Sequence, residues 1–387
     1  MRKTGCVILI LCLILSAVPV SAATTGPTVA AKSALLMDAA TGTVLLEQNA
    51  HAKLAPASVT KVMTMLLIME AIDSGAIGWN DTVTASETAA AKGGSQIYLK
   101  VGETMSVTDM LKSIAVSSAN DCACAMAEHI AGSEEAFVGM MNDRAKELGM
   151  NDTQFVNCTG LDDSEEAKAH RTSAYDIALM SRELLKNHPA IKQFTTIWMD
   201  TVRDGAFGLS NTNKLVRFYS GATGLKTGFT SGAGYCLSAS AERDGMELIA
   251  VVMGCETSQD RFNACKSLLD RGFANYALVK PEQKGLTVPV KLGKAPEAAA
   301  VPADDSPILI EKALKSTITT EFSMEESVDA PVSKGQRLGT MTIRAGERVL
   351  KQIPMVAQEP VERLGYWDIF RQIMRKILMV KEARQSS

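Results

Sequence analysis

Three short runs carry polar side chains whose types and spacing suit covalent chemistry: Ser58-Val59-Thr60-Lys61, Ser118-Ala119-Asn120 and Lys226-Thr227-Gly228. A serine hydroxyl is a weak nucleophile until a base takes its proton. Residues three apart on a helix share a face, so Lys61 is placed beside Ser58. Lysine acts as a base only when neutral. Burial, the positive end of a helix and the second cation, Lys226, all disfavour its charged form. The chemistry implied is acyl transfer through a serine ester. S-x-x-K and S-x-N are spellings that chance supplies readily, so their weight comes from their order and from the elements around them.

The other two runs supply the remaining roles. Ser118 can pass a proton between the base and a leaving amine, and the Asn120 carboxamide can bind a peptide backbone through both its donor and its acceptor. Lys226 and Thr227 offer a cation and a hydroxyl at one strand edge, suited to holding a terminal carboxylate. Gly228 lets a substrate backbone approach closely. The backbone N–H groups of Ser58 and Phe229 would form an oxyanion hole.

These groups need a scaffold, and the chain spells one. Residues 33–38 and 44–49 are apolar runs around Ala39-Ala40-Thr41-Gly42, which predicts a hairpin. Residues 58–72 are dense in Met, Leu and Ile, contain no Gly or Pro and follow Pro56, so a buried helix begins near Ser58. Residues 107–116 and 121–130 read as two further helices, with the middle motif on the connection between them. Residues 234–242 and 246–254 flank Asp244-Gly245, a strong hairpin signal, so the third motif lies on or beside an antiparallel sheet. Residues 258–276 form a helix that covers this sheet.

The expected division is a signal peptide over 1–23, a catalytic α/β domain over 24–280, a small β-rich domain over 281–360 and an amphipathic helix and tail over 361–387. Arg2, Lys3, the apolar run 7–15 and Ser21-Ala22-Ala23 carry the signal-peptide reading. In the β-rich part, alternating stretches at 286–290, 316–321 and 340–344 are interrupted by a Pro-, Ala- and Asp-containing segment over 295–307. In the last segment Tyr366, Ile369, Phe370, Ile373 and Ile377 alternate with Arg371, Gln372, Arg375 and Lys376 at helical spacing. Such a helix is too short and too charged to span a bilayer, and lies on a membrane surface instead.

Composition excludes several classes. With 46% apolar and 21% charged residues the chain is globular, not disordered. Loss of Arg2 and Lys3 with the signal would take the formal net charge from -3 to -5, which argues against nucleic acid as a partner. His51, His129, His170 and His188 show no H-E-x-x-H spacing, so no metal and no cofactor is implied. Cys122, Cys124, Cys158, Cys236, Cys255 and Cys265 read as small buried hydrophobes, with Cys122 and Cys124 on different helix faces.

On these three motifs the chain resembles the D-alanyl-D-alanine carboxypeptidases, the low-molecular-mass penicillin-binding proteins of class C, type 5. Ser95-Gln96-Ile97-Tyr98-Leu99, Gly102-Glu103, Phe155-Val156-Asn157, Thr159-Gly160-Leu161 and Asn211-Thr212-Asn213-Lys214-Leu215 follow that family's pattern in the same order. Thr159 stands where many relatives have His, and Ala119 where many have Gly; neither position carries a proton. The resemblance implies a penicillin-recognising serine transferase fold, with an antiparallel sheet, helices, a C-terminal β-rich domain and a membrane-anchoring helix. It implies removal of the terminal D-alanine from peptidoglycan pentapeptide through a Ser58 acyl-enzyme, with β-lactam antibiotics as covalent inhibitors. The enzyme would be exported and held at the outer face of the cytoplasmic membrane. Two alternatives stay open: a non-catalytic peptidoglycan sensor or scaffold, and a β-lactamase. The second needs a deacylating base, and no E-x-x-x-N pattern follows Gly160.

Overall fold

Strands Ser33–Asp38 and Val44–Gln48 pair antiparallel as the hairpin signal predicts, and Asp38 closes the turn by accepting from both the N–H and the hydroxyl of Thr41. The computed structural model describes residues 28–281 and 284–385; the signal-peptide reading over 1–23 and the last two residues of the tail lie outside the described residues. The hairpin joins a five-stranded antiparallel sheet. Its order is Val44–Gln48, Ser33–Asp38, Met246–Cys255, Gly234–Arg243, Ala222–Thr230, which leaves the strand bearing the third motif at the edge.

The two faces of this sheet are covered by different layers. One face packs on a helical layer centred on Lys61–Asp73, whose Val62, Met63, Met65, Leu66, Ile68 and Met69 are all buried. A helix apolar on every side belongs at the middle of a layer, not at its rim. The other face is covered by Ser258–Asn275, as the sequence predicts, with Phe262, Cys265, Leu268 and Leu269 turned inward. Thr257 and Asp260 form a capping box at its start.

The second motif lies between helices Val107–Ser117 and Asn120–Ala131. Ser106 caps the first by accepting from Asp109 N at 3.1 Å, and Gly132, with positive φ, ends the second. The α-helix after the first motif begins at Lys61, not at Ser58. Ser58 stands in a preceding 3-10 turn, Ala57–Thr60.

A six-stranded sheet follows, ordered Ile318–Met324, Arg337–Ala345, Arg348–Ala357, Glu297–Pro302, Leu286–Lys291, Val328–Asp329, and around it lies a separate core that includes Val288, Leu338, Met341, Ile353 and Met355. One sequence expectation needs correction here. Part of the 295–307 segment is the strand Glu297–Pro302, with Ala298 and Ala300 facing the core. Alanine has little β propensity, so the alternation is weak in sequence, although the small inward side chains fit the packed sheet. Strands Tyr276–Val279 and Ile308–Glu311 pair with each other and link the covering helix to this second part. The final helix, Tyr366–Gln385, exposes Tyr366, Trp367, Ile369, Phe370, Ile373 and Ile377. Among the described residues no helix is long and apolar enough to cross a membrane.

Candidate active site

The turn that carries Ser58 is clamped from several sides. Ala57 holds φ +48°, a left-handed conformation that costs energy for a residue with a Cβ, so the surroundings must impose it. Thr60 Oγ1 donates to the Ala57 carbonyl at 2.9 Å. Gly160 packs so tightly on that carbonyl that a Cβ there would overlap it. From the sheet side, a Cβ on Gly228 would stand 2.6 Å from the Pro56 carbonyl and 3.1 Å from Ser58 N. The third motif therefore abuts the nucleophile's own backbone, and only glycine permits that approach.

Lys61 Nζ lies 2.9 Å from Ser58 Oγ and donates to the Thr159 carbonyl at 2.7 Å. The lysine side chain is fully buried. Burial pushes its amine from 10.5 down to about 7, although Cys158 and Asp121 pull the other way. A neutral amine can donate one N–H to Thr159 and turn its lone pair to the Ser58 hydroxyl.

Lys226 is also fully buried, and its Nζ donates to the Thr227 carbonyl at 3.0 Å. Burial, then the charges of Lys61 and Arg261, drive its pKa well below the ordinary lysine value. Adjacent strand residues project to opposite faces, so Lys226 and Thr227 do not stand side by side. The Thr227 hydroxyl donates sideways to Thr212 Oγ1 at 2.7 Å. Phe229, just beyond, is exposed and stacks on Tyr235 with 4.3 Å between centroids.

On the opposite wall, Ser118 holds φ +64° at the end of its helix and is nearly buried. Asn120 is oriented by its own amide, Nδ2 donating to the Gly93 carbonyl at 2.7 Å. Its Oδ1 is buried without a hydrogen-bond partner. Such an orphan acceptor is costly unless something fills it. The Gly93 bond takes one of the two Nδ2 protons, so Asn120 keeps a free acceptor and a second donor for a ligand, as the sequence assigns.

Two contributors are invisible in the motifs. Arg261, on the covering helix, is buried between the rings of Tyr235 and Phe262 and donates from Nη1 to the Gly228 carbonyl at 3.0 Å. His170 touches Thr60 and thereby the nucleophile's turn. In sequence Arg261 is a single polar residue on an amphipathic helix and His170 a lone histidine after a short turn, so no spacing marks either. Arg261 sets a buried guanidinium against the third-motif strand, and Lys226 beside it gains a proton most readily when an anion binds. Among the described residues no cluster of His, Cys, Asp or Glu is placed to hold a metal, and the six cysteines are free thiols.

A helical layer and an antiparallel sheet meeting at a serine turn, with the third motif on the edge strand, is the architecture of the penicillin-recognising serine enzymes. The chain belongs to the D-alanyl-D-alanine carboxypeptidase family, which matches residues 20–257, and residues 273–363 match the C-terminal domain of penicillin-binding protein 5. It is 45% identical over 351 residues to the D-alanyl-D-alanine carboxypeptidase DacF of Bacillus subtilis, covering 89% of both chains. Among solved structures it resembles penicillin-binding protein 5 from Haemophilus influenzae, with a TM-score of 0.74 and 30% identity over 88% of this chain and 99% of that one. It also resembles penicillin-binding protein D2 from Listeria monocytogenes in an ampicillin-bound form, with a TM-score of 0.58 and 33% identity over 64% of this chain and 99% of that one.

Proposed function

We propose that this protein is a serine D-alanyl-D-alanine carboxypeptidase that releases the terminal D-alanine from peptidoglycan pentapeptide. The observation that carries this reading is the 2.9 Å contact between Ser58 Oγ and a buried Lys61 amine whose pKa is about 7. Ser58 Oγ attacks the penultimate carbonyl while its proton passes to Lys61 Nζ. The oxyanion is received by the N–H groups of Ser58 and Phe229. The C–N bond breaks, Ser118 relays the proton to the departing amine, and D-alanine leaves. Water then hydrolyses the ester and restores Ser58.

Substrate contacts follow the same geometry. The free Oδ1 of Asn120 accepts a peptide N–H, and the terminal carboxylate docks toward Thr227 with Lys226 behind it. Binding that anion favours the charged form of Lys226, whose proton the empty site holds weakly. A β-lactam presents a carboxylate beside a strained amide and would trap Ser58 as an ester; the ampicillin-bound relative supports this reading.

The catalytic part spans 24–280, the β-rich part 281–360, and the terminal helix attaches the exported enzyme to the outer face of the cytoplasmic membrane. The exposed aromatic and aliphatic residues of that helix support attachment at a surface. A non-catalytic sensor would have no use for a buried lysine at the serine. A β-lactamase would need a deacylating carboxylate in the site, and Asp162, Asp163, Glu165 and Glu166 are all exposed. The test is D-alanine release from pentapeptide by the purified protein, with and without penicillin. Turnover that penicillin blocks is expected; no release, or rapid hydrolysis of penicillin itself, would overturn the reading.

A further inference from the structure

The loop that follows the clamp on the serine turn runs to the mouth of the cleft. Asn157 gathers it: Oδ1 accepts from Gly160 N at 2.6 Å and from Thr159 N at 3.1 Å, and Nδ2 donates to the Leu161 carbonyl at 2.9 Å. Gly160 packs on the Ala57 carbonyl, so the position of this loop is tied to that of Ser58. Leu161 then leans on Gly94 beside the Asn120 carboxamide; a Cβ at Gly94 would stand 2.8 Å from Asn120 Nδ2 and 3.3 Å from Leu161 Cδ2. The next residue, Asp162, meets the wall formed by the third-motif strand, where a Cβ at Gly232 would stand 2.9 Å from its Oδ2. Gly232 belongs to the 231–233 turn that ends this edge strand, and Thr230 Oγ1 holds the turn by accepting from Ala233 N at 3.1 Å. Leu161 and Asp162 therefore bridge the two walls of the cleft.

The Asp162 carboxylate is exposed and has no hydrogen-bond or ionic partner among the described residues, whereas Glu165 beyond it is paired with Lys168. Water satisfies an exposed carboxylate, so this alone points to no ligand. The second observation is Asn120 Oδ1, which is buried beside Leu161 without a partner and is completed only when a peptide occupies the cleft. The roles assigned above also set the direction of that peptide. With its carboxylate toward Thr227 and its oxyanion at Phe229 N, it lies antiparallel on the edge strand, and its upstream residues run toward Thr230 and the 231–233 turn. At about 3.3 Å per residue, the residue before D-alanyl-D-alanine lies beside that turn. A side chain of lysine length at that position reaches Asp162, and an ammonium is the group that a free carboxylate holds best.

We infer that Asp162 is a specificity-determining residue that accepts the side-chain ammonium of the residue immediately before D-alanyl-D-alanine in the peptide substrate. The inference rests on the carboxypeptidase reading above. It gives the enzyme a preference for stem peptides that carry a diamino acid with a free amine at that position.

The experiment compares wild type, Asp162→Asn, Asp162→Lys and Asp162→Glu on two peptides ending in lysyl-D-alanyl-D-alanine, one with the lysine amine free and one with it acetylated. The readout is kcat/KM for release of D-alanine, and penicillin labelling of each variant checks that the cleft is intact. Wild type is expected to prefer the free amine by roughly fivefold, the upper range for an exposed ion pair, and high salt should shrink that preference. Asp162→Asn should lose the preference, Asp162→Lys should invert it through like-charge repulsion, and Asp162→Glu should keep it. Wild type indifferent to acetylation, equal losses on the two peptides, or a preference unchanged in the asparagine and lysine variants would each overturn the inference. Failure of wild type to release D-alanine from either peptide would instead remove the carboxypeptidase reading itself.

Discussion

His170 Nε2 lies 2.8 Å from Thr60 Oγ1, and Thr60 passes the contact on to the Ala57 carbonyl. The His170 Nδ1 accepts from Val156 N at 3.2 Å, which leaves the ring proton on Nε2 to be donated to Thr60. A single buried imidazole thus ties the 155–156 segment to the nucleophile's turn, in its neutral form. Burial pushes its pKa from 6.5 down to about 4.

That pKa has a consequence for stability. Between pH 6.5 and about 4 the unfolded chain binds a proton that the folded chain refuses, so stability falls as the pH drops through this window. Replacing His170 with Phe should flatten that part of the profile. It should also leave the Val156 N–H unpaired, at about 1 to 3 kcal/mol. Thermal unfolding of both proteins across pH 4 to 7 checks both effects, and an unchanged slope in the variant would dismiss His170 as its source.

Ser58→Ala should abolish covalent penicillin labelling together with D-alanine release, with a drop in turnover on the order of 10⁴ or more. Labelling that survives the substitution would mean another nucleophile.

The acid limb of kcat/KM should fall near pH 7, because Lys61 must be neutral in the free enzyme to accept the serine proton. Activity rises as the pH increases through that value. Lys61→Arg keeps the charge but cannot deprotonate, and should lose acylation across the whole range. The rate of acylation by a chromogenic β-lactam, followed from pH 5 to 9, reports the limb directly. A limb near the free-lysine value of 10.5 would mean that burial does not tune this amine.

Gly160→Ala tests the clamp on the serine turn. Gly160 holds φ +83°, and a Cβ would run into the Ala57 carbonyl, which belongs to backbone and cannot swing away. We expect a lower Tm and an acylation rate reduced well beyond what the stability loss explains. Wild-type rates in the variant would show that the turn tolerates displacement.

The parts of this architecture legible in sequence are those with local signals. The Asp244-Gly245 hairpin, the two helices flanking Ser118 and the covering helix each carry a turn, a cap or an apolar period of their own. Ser58, Lys61 and Gly228 are legible for the same reason, since their spacing has chemical meaning. Other features depend on contacts between distant segments. The Lys226 amine is buried by packing that no local pattern encodes, and one amide proton of Asn120 is taken by Gly93, twenty-seven positions earlier. Arg261 reaches Gly228 across thirty-three positions. The alanines of the strand Glu297–Pro302 resemble a linker in sequence, because the pairing that makes them a strand comes from distant neighbours.

The terminal helix gives the last prediction. Tyr366, Ile369, Phe370, Ile373 and Ile377 are all exposed, and such a run of large apolar side chains on one helix calls for a partner surface. Asp368, Arg371 and Arg375 interrupt it, which rules out a span and favours a helix lying flat at the lipid boundary. Each basic residue near anionic lipid adds about 1 kcal/mol to the apolar contribution. Deleting residues 365–387 should therefore release the protein from membranes without loss of D-alanine release from a soluble peptide, because Ser58, Lys61 and the edge strand belong to the first sheet and its helices. Sedimentation with anionic vesicles, before and after the deletion, is the measurement. Continued pelleting after a high-salt wash would place the attachment elsewhere, and lost activity on the soluble peptide would mean that the helix supports the catalytic part itself.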